Sequence, residues 1–206
     1  PRSSDLTGFG VLAPVCSTWI WLARSTTLRS ALCPLGNQLR DDVSEANRMV
    51  SRVVLLLYLM ILKGCIFILE QPLASILELH PRMVAFLQRF VVWKIHVKMQ
   101  WFLHGNVKPV FLYTNAECMA DIADLKVDGW TEVTCESLCV ITIAQDTGRK
   151  QVTGRRQKVK ASESYTPEFG EVVAHLFSAH RKWWRHEVER VEACAADDRA
   201  QASVAD

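Results

Sequence analysis

The sequence lacks a dominant charge: 24 Lys and Arg stand against 22 Asp and Glu, a formal net charge of +2. So even a balance excludes any argument for nucleic acid or an acidic membrane surface from bulk charge, and such an argument must rest on a local cluster. A cysteine framework is lacking too. The seven cysteines, at 16, 33, 65, 118, 135, 139 and 194, are odd in number and scattered, some inside apolar runs such as "KGCIFIL". That usage favours free thiols in a reducing, intracellular compartment over disulfides, with nucleus and cytoplasm not distinguished. No internal repeat is present, which sets repeat architectures aside. No Walker loop, Gly-Xaa-Ser-Xaa-Gly elbow or metalloprotease helix motif occurs. The first twenty residues do not join a basic start to a clean apolar stretch, as a signal peptide would. The chain starts at Pro1 and not at Met, and further sequence upstream is an expectation.

What is present is enough apolar matter for a core, since half of the 206 residues are hydrophobic. One sizeable domain with appendages is expected, and wholesale disorder is not. The run "VVLLLYLMILKGCIFIL", residues 53–69, is as long as a short membrane span. Lys63 and Gly64 interrupt it, however, and that pair is expensive in lipid and ordinary at a helix end. The spacing therefore predicts a helix from a capping box at Asp42 and Glu45 to Lys63, followed by a buried parallel strand "CIFIL". "GFGVLAPVC" (8–16) reads as a short buried strand bent at its exit by Pro14. Helical stretches are expected over "ASILEL" and from Pro81. "VVWKIHVKM" alternates apolar and polar residues and predicts a strand with one polar face. "KPVFLYTN" predicts a strand running back beside it, and Asn115 a cap on a short helix "AECMADIADL". The expected fold is α/β: parallel strands with an antiparallel edge hairpin, then a C-terminal helix opened by Thr166 and Pro167. Its parts are a core over 1–128, an irregular segment with a basic loop over 129–165, the helix over 166–195 and a frayed tail over 196–206.

In an open α/β sheet, ligands bind outside the carboxyl ends of the strands. The first strand here ends on Pro14-Val15-Cys16-Ser17 and the second on Glu70-Gln71-Pro72. Adjacent strands would send a thiol and a carboxyl group into one crevice, where the first can act as nucleophile and the second as proton donor. The plainer alternative makes Cys16 a small core residue and Glu70 a capping carboxylate. "PVCS", a strand ending in "LEQP" and a strand pair ending in "KPVFLYTN" together resemble the second half of the DNA cytosine-5 methyltransferase family, in its divergent phage and mobile-element branch. "SYTPEFGEVVAHLF" resembles the segment that closes such domains.

The resemblance implies a Rossmann-like sheet and a DNA modification chemistry. Cys16 would add to carbon 6 of a flipped-out cytosine, Glu70 would hold and protonate the ring at nitrogen 3, and Pro14 would wall off S-adenosylmethionine, the methyl donor. The pattern departs from the family in three respects. Val15 and Gln71 stand where the family usually has Pro and Asn, no glycine-rich cofactor loop follows a first strand and no acidic residue ends a second, and the Gln-Xaa-Arg-Xaa-Arg motif has no counterpart. A truncated or degenerate domain, inactive as an isolated chain until its cofactor half is supplied, is the expectation. Alternatives are a non-enzymatic nucleic-acid or protein interaction module and a small protein anchored in a membrane through residues 53–69.

The densest positive charge is the block around Arg149, Lys150, Arg155, Arg156, Lys158 and Lys160, which would suit the phosphates of DNA or stand as a solvated loop. Trp19 and Trp21 near Cys16 read as core before stacking groups. Trp183 and Trp184, in "HRKWWRH", read as helix anchors. Cys135 and Cys139 form one loose pair, with Cys118 and His104 upstream, which falls short of the two tight pairs of a zinc site, so no metal is expected. The sequence leaves the oligomeric state open.

Overall fold

The computed structural model describes residues 8–132, 139–143, 145–146, 148, 150–154 and 163–182. β1 (Phe9–Leu12) leads through a long loop, with a single helical turn α1 (Arg24–Thr27), to α2 (Asp41–Leu62). Then follow β2 (Ile66–Pro72), α3 (Pro81–Arg89), β3 (Trp93–Lys98) and β4 (Pro109–Thr114). β5 (Cys139–Ile143) and β6 (Lys150–Gly154) pair as a separate antiparallel hairpin. A last helix, α4, covers 167–182. The main sheet has the order β1-β2-β4-β3: β1 and β2 are parallel, and β4 runs antiparallel to both of its neighbours. The expected hairpin is there, but its second strand lies inside the sheet between β2 and β3, and β3 forms the edge.

Burial follows from the alternation along β2. Phe67 and Leu69 face one layer, built on Val50, Val53, Val54 and Leu57 of α2 and Met83 and Phe86 of α3. Ile66 and Ile68 face the other, with Ile95 and Val97 of β3, Val110 and Leu112 of β4, and Phe169 and Val173 of α4. Each fully buried Phe, Leu or Ile contributes about 1.5–3 kcal/mol relative to exposure, so these two layers carry the fold. β2 is buried almost throughout because it is covered on both faces, whereas β3 buries Ile95 and Val97 and exposes Lys94 and His96.

The membrane-like run is thus a helix end joined to a strand. The N–H of Cys65 donates to the carbonyl of Met60 (2.8 Å) and that of Gly64 to Ile61 (3.0 Å). Gly64 at φ +66° makes the left-handed closure that a side chain would oppose. Four of the six leucines in the run are not core at all: Leu55, Leu56, Leu59 and Leu62 form the exposed face of α2. Among the described residues no helix is long and apolar enough to cross a membrane.

Three local expectations are corrected. The N-cap of α2 is Arg40; Asp42 accepts from the N–H of Val43 and pairs with Arg40, while Glu45 pairs with Arg48 and Arg52, so no capping box forms. "ASILEL" and "AECMADIADL" contain only the 3₁₀ segments Leu77–Leu79 and Glu117–Ala123. Asn115 caps nothing. Its Oδ1 accepts from the N–H of Phe67 (3.0 Å) and its Nδ2 donates to the carbonyl of Cys65 (3.0 Å), so its amide stands in for one more peptide of the ladder.

Candidate active site at the carboxyl rim

β1 and β2 pair in parallel with Leu12 opposite Leu69, so both strands leave the sheet on the same rim. Pro14 and Cys16 come two and four residues after Leu12, and Glu70 follows Leu69 while still held in the ladder to β4 opposite Leu112. Gln71 ties the two exits together, its Nε2 donating to the carbonyl of Pro14 at 3.1 Å. Past Pro14 the chain turns on Cys16, whose carbonyl accepts from the N–H groups of Trp19 (2.8 Å) and Ile20 (3.2 Å). Trp19 is completely buried and lies beneath the Arg29 guanidinium, 3.5 Å from its ring centroid. Trp19 is therefore core, as expected, but Trp21 is 55% exposed.

Arg29 fixes this loop. It is 2% exposed and donates to the carbonyls of Pro34 (2.6 Å) and Val43 (3.2 Å), to Asn47 Oδ1 (2.9 Å) and to Thr18 Oγ1 (3.4 Å). Burial lowers its pKa to about 10, with Asp42 pulling the other way.

Glu70 shares the face of Ile66 and Ile68, toward α4, and is 5% exposed. The hydroxyl of Tyr165, just before α4, donates to its carboxyl group, while Oε1 is buried without a partner. Lys108 enters from the turn before β4, held at φ +32°. Its Nζ lies 4.1 Å from the centroid of the Tyr165 ring and 3.5 Å from the carbonyl of Ser164. Tyr165 in turn stacks on Phe169 at 5.6 Å, and Thr166 caps α4 by accepting from the N–H of Phe169 while donating to the carbonyl of Phe102 at 2.6 Å.

A thiol, a carboxyl group, an ammonium and a phenol thus act on one another at a single rim. Burial pushes the Glu70 carboxyl up, and the Tyr165 hydroxyl and then Lys108 pull it back. Burial also pushes the Cys16 thiol up, helped by the charge of Glu70 and opposed by Lys108. Lys108 itself is lowered by burial against the pull of Glu70 and Cys16. The chemical consequence is an acid biased toward its proton-donating form beside a thiol that needs a cation before it becomes a nucleophile. Sequence reasoning missed Lys108 and Tyr165. For Lys108 a signal existed: it is the first residue of "KPVFLYTN", and antiparallel pairing of β4 with β2 sets Val110 opposite Pro72, which brings the preceding turn to the carboxyl end of β2.

For a nucleotide-type cofactor the rim offers little. The exits read Ala13-Pro14-Val15-Cys16 and Leu73-Ala74-Ser75, with no glycine-rich turn to admit a phosphate or ribose, and the carbonyl of Pro14 is taken by Gln71. The described residues do not fit S-adenosylmethionine. Arg155, Arg156, Lys158 and Lys160 lie outside the described residues, as do Trp183, Trp184 and Cys135. His104 is engaged locally, its Nδ1 lying 3.0 Å from both the N–H and the carbonyl oxygen of Asn106. Among the described residues no group of His, Cys, Asp and Glu is placed to hold a metal ion. In comparisons with known proteins, no family model, curated protein or solved structure matches the chain.

Proposed function

We propose that the chain is the base-holding half of a DNA cytosine-5 methyltransferase-like domain, in which Cys16 and Glu70 grip one pyrimidine ring. One observation carries the reading: the sulfur and the carboxyl group leave adjacent parallel strands on the same rim, and the thiol feels the charge of the carboxylate. The sheet supports it, because the equivalents of the fourth and fifth strands are parallel neighbours and the last two strands form a hairpin beside them. The unpartnered Oε1 of Glu70 supports it further, being a buried acceptor or, once protonated, a donor with nothing to bond.

The chain's own share of the chemistry is addition. The thiol adds across the C5–C6 double bond of the ring, sulfur to carbon 6 and a proton to carbon 5, while neutral Glu70 donates to nitrogen 3 and draws electron density from the ring. Extruding the base from a duplex costs a few kcal/mol, which the hydrogen bond and the apolar walls must offset. S-adenosylmethionine, the methyl donor in this reading, would be held by a complementary half that the described residues do not include.

The test needs no methyl donor. The full chain is mixed with a DNA oligonucleotide carrying 2-pyrimidinone in place of one cytosine, and the intact mass is measured. The expected adduct equals the sum of the two masses, is lost in Cys16→Ser, and forms about a hundredfold more slowly or worse in Glu70→Gln. Binding without an adduct overturns the enzymatic reading. It would favour a non-enzymatic interaction module, to which the raised pKa of Cys16 and the engagement of Glu70 by Tyr165 already point.

A further inference from the structure

The loop before α2, the first turns of α2 and the amino end of α3 line a shallow, open groove of about 550 Å³. It lies on the carboxyl rim, on the face of the sheet opposite Glu70, since α2 and α3 pack with Phe67 and Leu69. Arg48 and Arg52 line it from α2 and Arg82 from α3, with Gln38, Asn47 and His80 between them, and no acidic side chain lines it. Glu45, on the outer face of α2, answers both Arg48 (2.8 Å) and Arg52 (3.5 Å), so one carboxylate faces two guanidiniums there.

Arg29 adds a second, independent sign of excess positive charge. It bonds to Asn47, a residue of the groove wall, yet among the described residues no carboxylate forms an ion pair with it, and its Nε is buried without a partner. A buried cation without a counter-ion is costly, and an anion in the adjacent groove lowers that cost. His80, which caps α3 through Nδ1 and lines the groove, is pushed down to about 4, by burial first and then by Arg29 and Arg82. The positive end of the α3 dipole points the same way.

We propose that this groove binds a phosphate group through the guanidinium forks of Arg48, Arg52 and Arg82. Planar forks suit tetrahedral oxyanions, and their charge-assisted hydrogen bonds are among the strong ones. The phosphate is either a phosphodiester of a nucleic-acid backbone or a free phosphate ester. The proposal does not depend on the reading of Cys16 and Glu70.

The test titrates the full chain by calorimetry with inorganic phosphate and, separately, with a short DNA duplex over a range of salt. Arg82→Gln and Arg48→Gln are compared with Arg89→Gln, at the far end of α3, after thermal melts show that each variant folds. Phosphate affinity is expected to fall about tenfold in the first two and to hold in the third. Duplex binding whose log–log salt slope loses about 1 per arginine removed assigns the site to the nucleic-acid backbone. Loss of phosphate binding with duplex binding unchanged assigns it to a free phosphate ester. Absence of saturable phosphate binding, or binding indifferent to Arg82→Gln, overturns the proposal.

Discussion

Replacing Arg29 with methionine keeps much of the side-chain volume and removes the fork that holds the Cys16 loop. The carbonyl of Pro34 and Oδ1 of Asn47, now bonded at 2.6 and 2.9 Å, would lose a charged donor. The carbonyl of Val43 keeps its place inside α2. Each orphaned buried acceptor costs about 1–3 kcal/mol, and the lost cation–π contact with Trp19 up to about 2 kcal/mol. Relief from burying an unpaired charge and the apolar contact of the thioether with the indole offset part of this. A net loss of about 2–4 kcal/mol is expected, the acceptors being backbone or locked in place and so beyond repair by repacking. In a chain of this length that lowers the melting temperature by roughly 4–16 °C. Arg29→Lys, which keeps the charge and three donors, should fall between. Circular dichroism melts measure both variants. A methionine variant that melts within about 2 °C of the wild type would refute the idea that Arg29 pins the loop.

Glu70→Gln should make stability less dependent on pH. With its folded pKa above the ordinary 4.5, Glu70 binds its proton more tightly in the native state, so the native chain loses stability as pH rises from about 4.5 through the folded value. The variant's melting temperature, relative to wild type, should therefore climb over that window; a constant difference would argue against a buried acid. Lys108→Met removes the cation that favours the Cys16 thiolate, so the pH at which Cys16 alkylates should move up, as read by peptide mass spectrometry. Gly36→Ala should cost about 1–3 kcal/mol by chemical denaturation, because φ there is +62° and the new Cβ would sit 2.5 Å from the carbonyl of Thr27.

Local signals were legible where the chain needs no distant partner. Lys63-Gly64 ends a helix by its own backbone geometry, the alternation from Trp93 to Lys98 shows which side of a strand is wet, and Thr166-Pro167 opens α4. The exits after Leu12 and Leu69 were legible as well, because short apolar runs ending in polar residues mark the rim of such a sheet. The failures belong to choices that only tertiary structure makes. Asp42 had both a backbone N–H and Arg40 within reach and took them, which left Glu45 to Arg48 one turn on and Arg52 two turns on. Asparagine is a frequent helix cap, but β2 offers the Asn115 amide a donor and an acceptor. Arg29 carries no local pattern. Its partners lie at Thr18, Pro34, Val43 and Asn47, and only the folded loop brings them together. Tyr165 reaches Glu70 only after α4 has packed on the sheet.

The juxtaposition of Cys16 and Glu70 is tested most directly by titrating the thiol itself, following alkylation of Cys16 against pH in the wild type and in Glu70→Gln. The carboxylate raises the thiol's pKa, so removing its charge should shift the alkylation profile to lower pH. A Cys16 profile that does not move would mean that the carboxylate does not act on the thiol, and the proposed grip on a single ring would fall with it.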